Sequence, residues 1–424
     1  MAFSSISFLF YFLPLFFIIY YLIPARAKNV VLLAGSLFFY AWGEPRWILL
    51  LVAVKYAGFF FGAFIDLPKL HLPLGVSFYT FHAISYLVDV YRQKTPPQKN
   101  LLRLGLYLAL FPKLVMGPIV PYHELEPALA QRTIDAQDVS DGCFRFTIGL
   151  AKKALLADAL AGLVTGIWGD LASLTVLSAW LGLIGYALQL YFDFSGYSDM
   201  AIGLGRMLGF RFPENFRYPY LCSSISDFWR RWHISLGSWF KEYLYFPLGG
   251  SRTGTLRTLR NLLLVWLATG LWHGASWNYV LWGLYFGVLI CLEKLLAPRF
   301  RAHPRKGLLA GLYRPVCLLL AVLGWVLFRA EDLPAAGRYF ACLFGGAAGA
   351  SAQARLYLHD FWPVLLLGAV GATPLCAKLA GRLGAKLQPG VRAAVQAVLV
   401  LALLTCSTVW LLNGSFQSFV YFQF

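Results

Sequence analysis

Two histidines of this chain stand in stretches whose composition suits chemistry. His233 lies in Asp227-Phe-Trp-Arg-Arg-Trp-His-Ile-Ser-Leu-Gly-Ser-Trp-Phe-Lys, and His273 in Gly270-Leu-Trp-His-Gly-Ala-Ser-Trp-Asn-Tyr-Val. Imidazole is the side chain whose ordinary pKa lies near neutrality, so it can take a proton from a hydroxyl and return it. His273 sits between two apolar runs, 261–271 and 279–292. An ionisable group at that depth is costly unless it faces a polar cavity or a partner, which marks it as a functional candidate. Gly270 and Gly274 leave room beside it for a ligand or a second backbone. A buried histidine can also serve structure alone, and this segment does not separate the two readings.

Around His233, helical spacing puts Ile225, Trp229, Trp232, Leu236, Trp239 and Tyr243 on one apolar face, with Asp227, Arg231, Ser238 and Lys241 on others. The pattern predicts one helix suited to the membrane interface, ended by Pro247 and Gly249-Gly250. A lipid-surface anchor carrying a hydrogen-bonded histidine fits the same residues. A third segment, Tyr191-Phe-Asp-Phe-Ser-Gly-Tyr-Ser-Asp-Met-Ala-Ile-Gly203, places Asp193 and Asp199 in or at the end of an apolar run. Asp199 could orient a histidine, or pair with Arg206 or Arg217 for structure. His71, His82, His123, His303 and His359 lack a comparable setting and are expected to be structural or solvated. The sequence holds no phosphate-binding loop, dinucleotide fingerprint, H-E-x-x-H or G-x-S-x-G.

The elements that must position these residues follow from composition. Of 424 residues 59% are hydrophobic and only 13% charged, against about a quarter charged in soluble domains. The apolar residues come in runs of roughly 15–25, the length of a helix crossing ~30 Å of hydrocarbon. An all-α polytopic membrane protein is predicted, with candidate segments 6–23, 29–42, 46–66, 72–90, 101–120, 143–167, 173–204, 261–272, 276–296, 311–328, 334–347, 361–381 and 391–412. Several are too short to span alone, which leaves about ten crossings, the rest being re-entrant or interfacial. No linker divides the chain, so residues 1–424 are expected to form a single membrane-embedded domain.

Charge sets the orientation. Thirty-six Lys and Arg against 19 Asp and Glu leave a net +17. The basic residues cluster at 92–103, 206–260, 294–314 and 378–392, which the positive-inside rule assigns to the cytoplasmic side. There they would meet lipid headgroups and attract a polyanionic donor, and nucleic acid is not the implied partner. For any single residue, setting topology is an equal explanation. The first apolar run, Phe8–Ile23, has no basic residue before it and Arg26 and Lys28 after it, the pattern of an uncleaved helix with an external N-terminus. The seven scattered cysteines read as small core hydrophobes.

Six motifs in order carry a family likeness. They are Phe3-Ser-Ser with Phe8-Leu-Phe, Leu72-Pro-Leu-Gly-Val-Ser-Phe-Tyr-Thr-Phe81, Phe111-Pro-Lys-Leu-Val-Met-Gly-Pro-Ile-Val120, Phe192-Asp-Phe-Ser-Gly-Tyr-Ser-Asp199, Ser226-Asp-Phe-Trp-Arg-Arg-Trp-His-Ile-Ser-Leu236 and Leu271-Trp-His-Gly274. Together they resemble the membrane-bound O-acyltransferase superfamily, in the branch of the bacterial alginate and peptidoglycan O-acetyltransferases. The teichoic acid D-alanine transfer protein is a more distant relative. The ending Tyr245-Phe-Pro-Leu-Gly-Gly-Ser-Arg252 is closer to the acetyltransferases. Relative to longer members, the chain is short between Leu50 and Leu72 and between the two histidines.

The resemblance implies a ring of about ten transmembrane helices, with re-entrant and interfacial helices, around a central tunnel where a cytosolic acyl donor meets an acceptor from the other face. By it His273 is the catalytic histidine, lining that tunnel, and His233 supports it. The donor would be acetyl-CoA or an acyl-carrier thioester, with no permanently bound cofactor and no metal. The acceptor would be an extracytoplasmic relay protein that serves a polysaccharide at the bacterial cytoplasmic membrane. Acyl transfer needs a base, donors for the developing oxyanion and a dry site. His273 is assigned as base, His233 or Asn278 as the group steadying the thioester carbonyl or the base, and Arg230 and Arg231 as phosphate contacts. Asp199, Trp232 and Trp272 complete the substrate-binding set. The rival readings are D-alanyl transfer to teichoic acid, a polysaccharide transporter, which should show internal repeats, and a non-enzymatic scaffold.

Overall fold

The computed structural model describes residues 2–43, 75–252, 254–274, 276–302 and 308–414, and among these every regular element is helical. The predicted segment 46–66 lies outside them, as do His71, His303 and the start of the Leu72–Phe81 motif. In chain order the α-helices are α1 (Leu13–Leu22), α2 (Lys28–Gly43), α3 (Val76–Tyr91), α4 (Leu101–Ala109), α5 (Phe111–Leu114), α6 (Tyr122–Ala130), α7 (Ala136–Ala151), α8 (Asp158–Trp168) and α9 (Val176–Met207). Then follow α10 (Ile225–Trp229), α11 (Ile234–Phe240), α12 (Thr255–His273), α13 (Trp277–Ala302), α14 (Leu308–Arg329), α15 (Leu333–Leu343), α16 (Ala352–Gly371), α17 (Leu375–Gly384) and α18 (Pro389–Asn413). Four described stretches, Val176–Met207, Trp277–Leu296, Leu312–Arg329 and Pro389–Asn413, are each long and apolar enough to cross a membrane. Predicted segment 361–381 is a pair, α16 and α17, bent by 67°.

The contacts fall into two compact units that interleave along the chain. One comprises Met1–Ala154, Phe194–Glu214 and Gln396–Phe422, the other Leu155–Asp193, Asn215–Val395 and the last two residues. In the first unit the core is aromatic. Phe3 stacks on Tyr197 at 4.7 Å, and Phe8, Phe12, Phe16 and Phe39 each lie within 6.4 Å of Phe111. Arg132 ties helices there by donating to the Tyr20 hydroxyl (3.0 Å), the Leu208 carbonyl (3.0 Å) and Asn29 Oδ1 (2.7 Å).

The predicted span 101–120 is not continuous. Leu110 leaves the helical region between α4 and α5, because Pro112 in the first turn of α5 cannot continue the preceding hydrogen-bond ladder. The Phe111 N–H freed by the break donates to Ser36 Oγ at 3.2 Å, so the kink leaves this buried amide bonded.

Helices α7 and α9 meet backbone to backbone through two pairs of glycines. A Cβ on Gly149 would sit 2.5 Å from the Gly196 carbonyl, and one on Gly142 would sit 2.7 Å from that of Gly203. Both pairs are seven residues apart, two helical turns, so the glycines form one seam. Gly149→Leu should therefore destabilise the protein by about 1–3 kcal/mol. Gly337→Ala, exposed in α15 with open space around it, should stabilise by about 0.5–1 kcal/mol. Equilibrium unfolding in detergent measures both, and equal effects would refute the seam.

Candidate active site

Both histidines belong to the second unit. The segment around His233 begins at Ser224, whose hydroxyl accepts from Asp227 N at 2.9 Å and caps α10. α10 stops at Trp229, the chain turns through His233 at φ +45°, and α11 and a π-helix at Lys241–Tyr245 follow. The single helix predicted across 225–243 is thus two short ones joined by a left-handed residue.

That turn costs about 1–2 kcal/mol for a residue with a Cβ, and Asn215 offsets it. Its Oδ1 accepts from Ser235 N (3.1 Å) and Ser235 Oγ (3.0 Å) and lies 3.1 Å from His233 Nδ1. Its carbonyl accepts from Ile234 N at 2.9 Å, and Arg217 N donates to the Arg231 carbonyl at 2.9 Å. With the helix broken, the apolar face predicted for the membrane interface covers protein. Ile225, Trp232 and Leu236 are 5% exposed or less, and Trp232 packs on Trp325 (4.8 Å) and Phe228 (5.7 Å).

His273 ends α12 at the tight hairpin with α13. A Cβ on Gly270 would run into the Tyr279 carbonyl and one on Gly283 into the Trp266 carbonyl. Between the two uses left open for Gly270, the second backbone takes the space. The half-buried His273 ring meets Trp282 (5.0 Å) and Phe328 (4.9 Å) edge-on, with Tyr279 at 6.2 Å. Trp272 connects the two histidines, its ring 4.6 Å from that of His273 and 6.5 Å from that of His233.

Beside His233 opens a cavity of about 910 Å³. Trp229, Trp232 and Trp266 form its aromatic wall, Ser226 and Glu293 add polar groups, and the exposed cations Arg230, Lys241 and Lys294 also line it. His273 is not one of the lining residues and is joined to the cavity wall through Trp272 and His233.

The other predicted site residues divide. Arg231 Nε is held on Asp227 Oδ2 at 3.0 Å, while Arg230 is 3.7 Å from Asp227 with a largely exposed side chain. Partial burial works against the charge of Asp227, but the Ser223 bonds and the Arg231 cation outweigh it and hold the carboxyl below its ordinary range. Asn278 is buried, donates from Nδ2 to the Ala330 carbonyl at 2.5 Å, and among the described residues finds no hydrogen-bond partner for Oδ1. Asp199 lies in the first unit, where Arg145 (2.8 Å from Nε) and Lys152 (2.6 Å) bind its carboxylate. Of the two partners expected for Asp199, Arg206 pairs instead with Asp141 at 2.6 Å. The Arg145 and Lys152 pairing was invisible in sequence because those cations are 54 and 47 residues away.

Sequence reasoning missed Glu293 and Asn215. Glu293 accepts four hydrogen bonds, from Ile225 N (2.6 Å), Ser226 N (2.8 Å), Ser226 Oγ (2.6 Å) and Tyr313 Oη (2.7 Å). It thereby anchors the start of α10 to α13. A lone acid in the apolar run 276–296 was the available signal. Asn215 had none.

These features coincide with a family relationship. The sequence model of the membrane-bound O-acyltransferase family matches residues 94–311, a span that holds both histidines. The chain is 42% identical over 383 residues to a probable alginate O-acetylase AlgI of Pseudomonas fluorescens, covering 81% of this chain and 76% of that protein. It is 34% identical over 415 residues to a peptidoglycan O-acetyltransferase of Helicobacter pylori, covering 79% and 78%.

The chain belongs to the membrane-bound O-acyltransferase family. It is an acyltransferase embedded in a membrane, and its multiple apolar helices agree with that setting. In this O-acyltransferase the carboxylate of Glu293 holds the His233 segment against the hairpin that carries His273. Glu293→Ala should cost at least about 1.5–3 kcal/mol, the scale of one hydrogen bond to a charged group. Thermal unfolding of the purified protein reads this, and an unchanged transition would remove Glu293 from the framework.

Proposed function

We propose that this O-acyltransferase moves an acetyl group from a cytosolic thioester across the membrane to a hydroxyl, for O-acetylation of an exported or cell-surface polysaccharide. One observation carries the reading: a cavity with cations at exposed positions and His233 in its wall, in a chain related to alginate and peptidoglycan O-acetyltransferases. The donor is a polyanionic thioester such as acetyl-CoA, its phosphates held by Arg230, Lys241 and Lys294 and its acyl end reaching past the cavity's tryptophans and His233 toward Trp272 and His273. Aromatic walls favour a dry site, which protects a thioester from hydrolysis.

His273 takes the acceptor's hydroxyl proton as the oxygen attacks the thioester carbon. The new C–O bond replaces C–S, and the proton passes to the leaving thiolate. The acceptor arrives from the extracytoplasmic face as a relay protein that hands the acetyl group to the polymer. In this reading residues 1–424 act as one domain in the bacterial cytoplasmic membrane, a ring of about ten spans around a tunnel. Asp199 serves that architecture through its ion cluster.

The decisive experiment deletes the gene in its host and measures ester-linked acetate on each surface polymer, with complementation. Wild type should restore acetate. His273→Ala should insert and unfold normally yet lose at least about 10²-fold in transfer, the lower scale of general base catalysis. Near wild-type acetate in that variant overturns the assignment. His233→Asn, which keeps a residue tolerant of the left-handed turn, should show a serious but smaller loss. Lys241→Glu with Lys294→Glu should raise the donor KM, leave kcat nearly unchanged and flatten its salt dependence. A KM unmoved at low salt would place the donor elsewhere.

A further inference from the structure

Hydrogen-bond donors and acceptors around Asn215 decide more than the shape of the turn. A backbone N–H only donates, so the Asn215 atom 3.1 Å from Ser235 N is the amide oxygen. The same oxygen lies 3.1 Å from His233 Nδ1. An amide oxygen only accepts, so the proton of a neutral His233 ring sits on Nδ1, and Nε2 is the basic nitrogen. Asn215 is 1% exposed and His233 3% exposed, so water does not compete for this bond. The geometry is held from both sides of the turn, by Ile234 N on the Asn215 carbonyl and by Arg217 N on the Arg231 carbonyl.

We propose that Asn215 is a positioning residue that locks His233 in the Nδ1–H tautomer, so that His233 works as a hydrogen-bond and proton acceptor through Nε2. A thioester carbonyl needs a donor, which a neutral ring in this tautomer does not offer at Nε2. Of the two roles open to His233, steadying the carbonyl or assisting the base, the second is selected. The role in transfer rests on the acyl-transfer reading above, whereas the tautomer does not.

The test uses the full chain in lipid nanodiscs with ¹⁵N-labelled histidine, the His233 signals being assigned by difference against His233→Asn. Wild type should show a protonated Nδ1 and an unprotonated Nε2. Asn215→Ala should shift the ring toward the Nε2–H form and lower kcat by about 10²-fold, the scale of a misplaced catalytic group, with the donor KM unchanged. Asn215→Asp, which accepts the same bonds, should keep the wild-type tautomer and recover most of kcat. A wild-type ring protonated at Nε2 overturns the proposal, and that spectrum decides even if Asn215→Ala fails to fold. Asn215→Ala with the Nδ1–H form and wild-type kcat overturns it equally. Absence of acetyl transfer in wild type would sink the acyl-transfer reading while leaving the tautomer to be decided by the spectrum.

Discussion

Where a helix breaks in buried surroundings, water cannot take up the freed backbone groups, and a side chain has to do so. Side chains meet that demand at several points among the described residues. Ser36 takes the Phe111 amide at the kink before Pro112, Asn215 takes the Ser235 amide after the turn at His233, and Glu293 takes the Ile225 and Ser226 amides at the start of α10. At His233 the consequence is chemical, because the group that stabilises the turn also bonds the imidazole.

The two histidines have different supports. His273 is placed by backbone packing, at the end of a hairpin whose glycines let α12 and α13 come into van der Waals contact. Its ring is walled by Trp282 and Phe328, which supply shape and low polarity. His233 is placed by polar bonds within a short irregular segment, and that segment depends on the Glu293 carboxylate. Trp272 bridges them. Within this aromatic framework the hydrogen bonds around Asn215 and Glu293 each hold a polar group in one orientation.

Close backbone contact recurs within the first unit. The glycine seam between α7 and α9 brings those helices together beside the ion cluster in which Arg145 and Lys152 hold Asp199. Apolar surroundings give helices little hydrophobic reason to associate side by side, so small residues and charge pairs are the means that remain. Asp199 shows the same economy as Glu293: one carboxylate joins elements distant in sequence.

The sequence by itself determined the all-helical membrane character and the family, and singled out the two histidines as candidates, because these depend on composition, on runs of apolar residues and on local motifs. It misjudged the segment around His233, since periodicity at helical spacing survives in residues whose backbone turns between them. Trp232 and Leu236 obey the spacing and are buried, yet a left-handed residue stands between them. Only the tertiary structure decided the partners of Asp199, the anchoring by Glu293 and the bond from Asn215 to His233. Those bonds join residues 18 to 68 positions apart, and no local pattern encodes which distant acceptor will meet a given donor once the helices have packed.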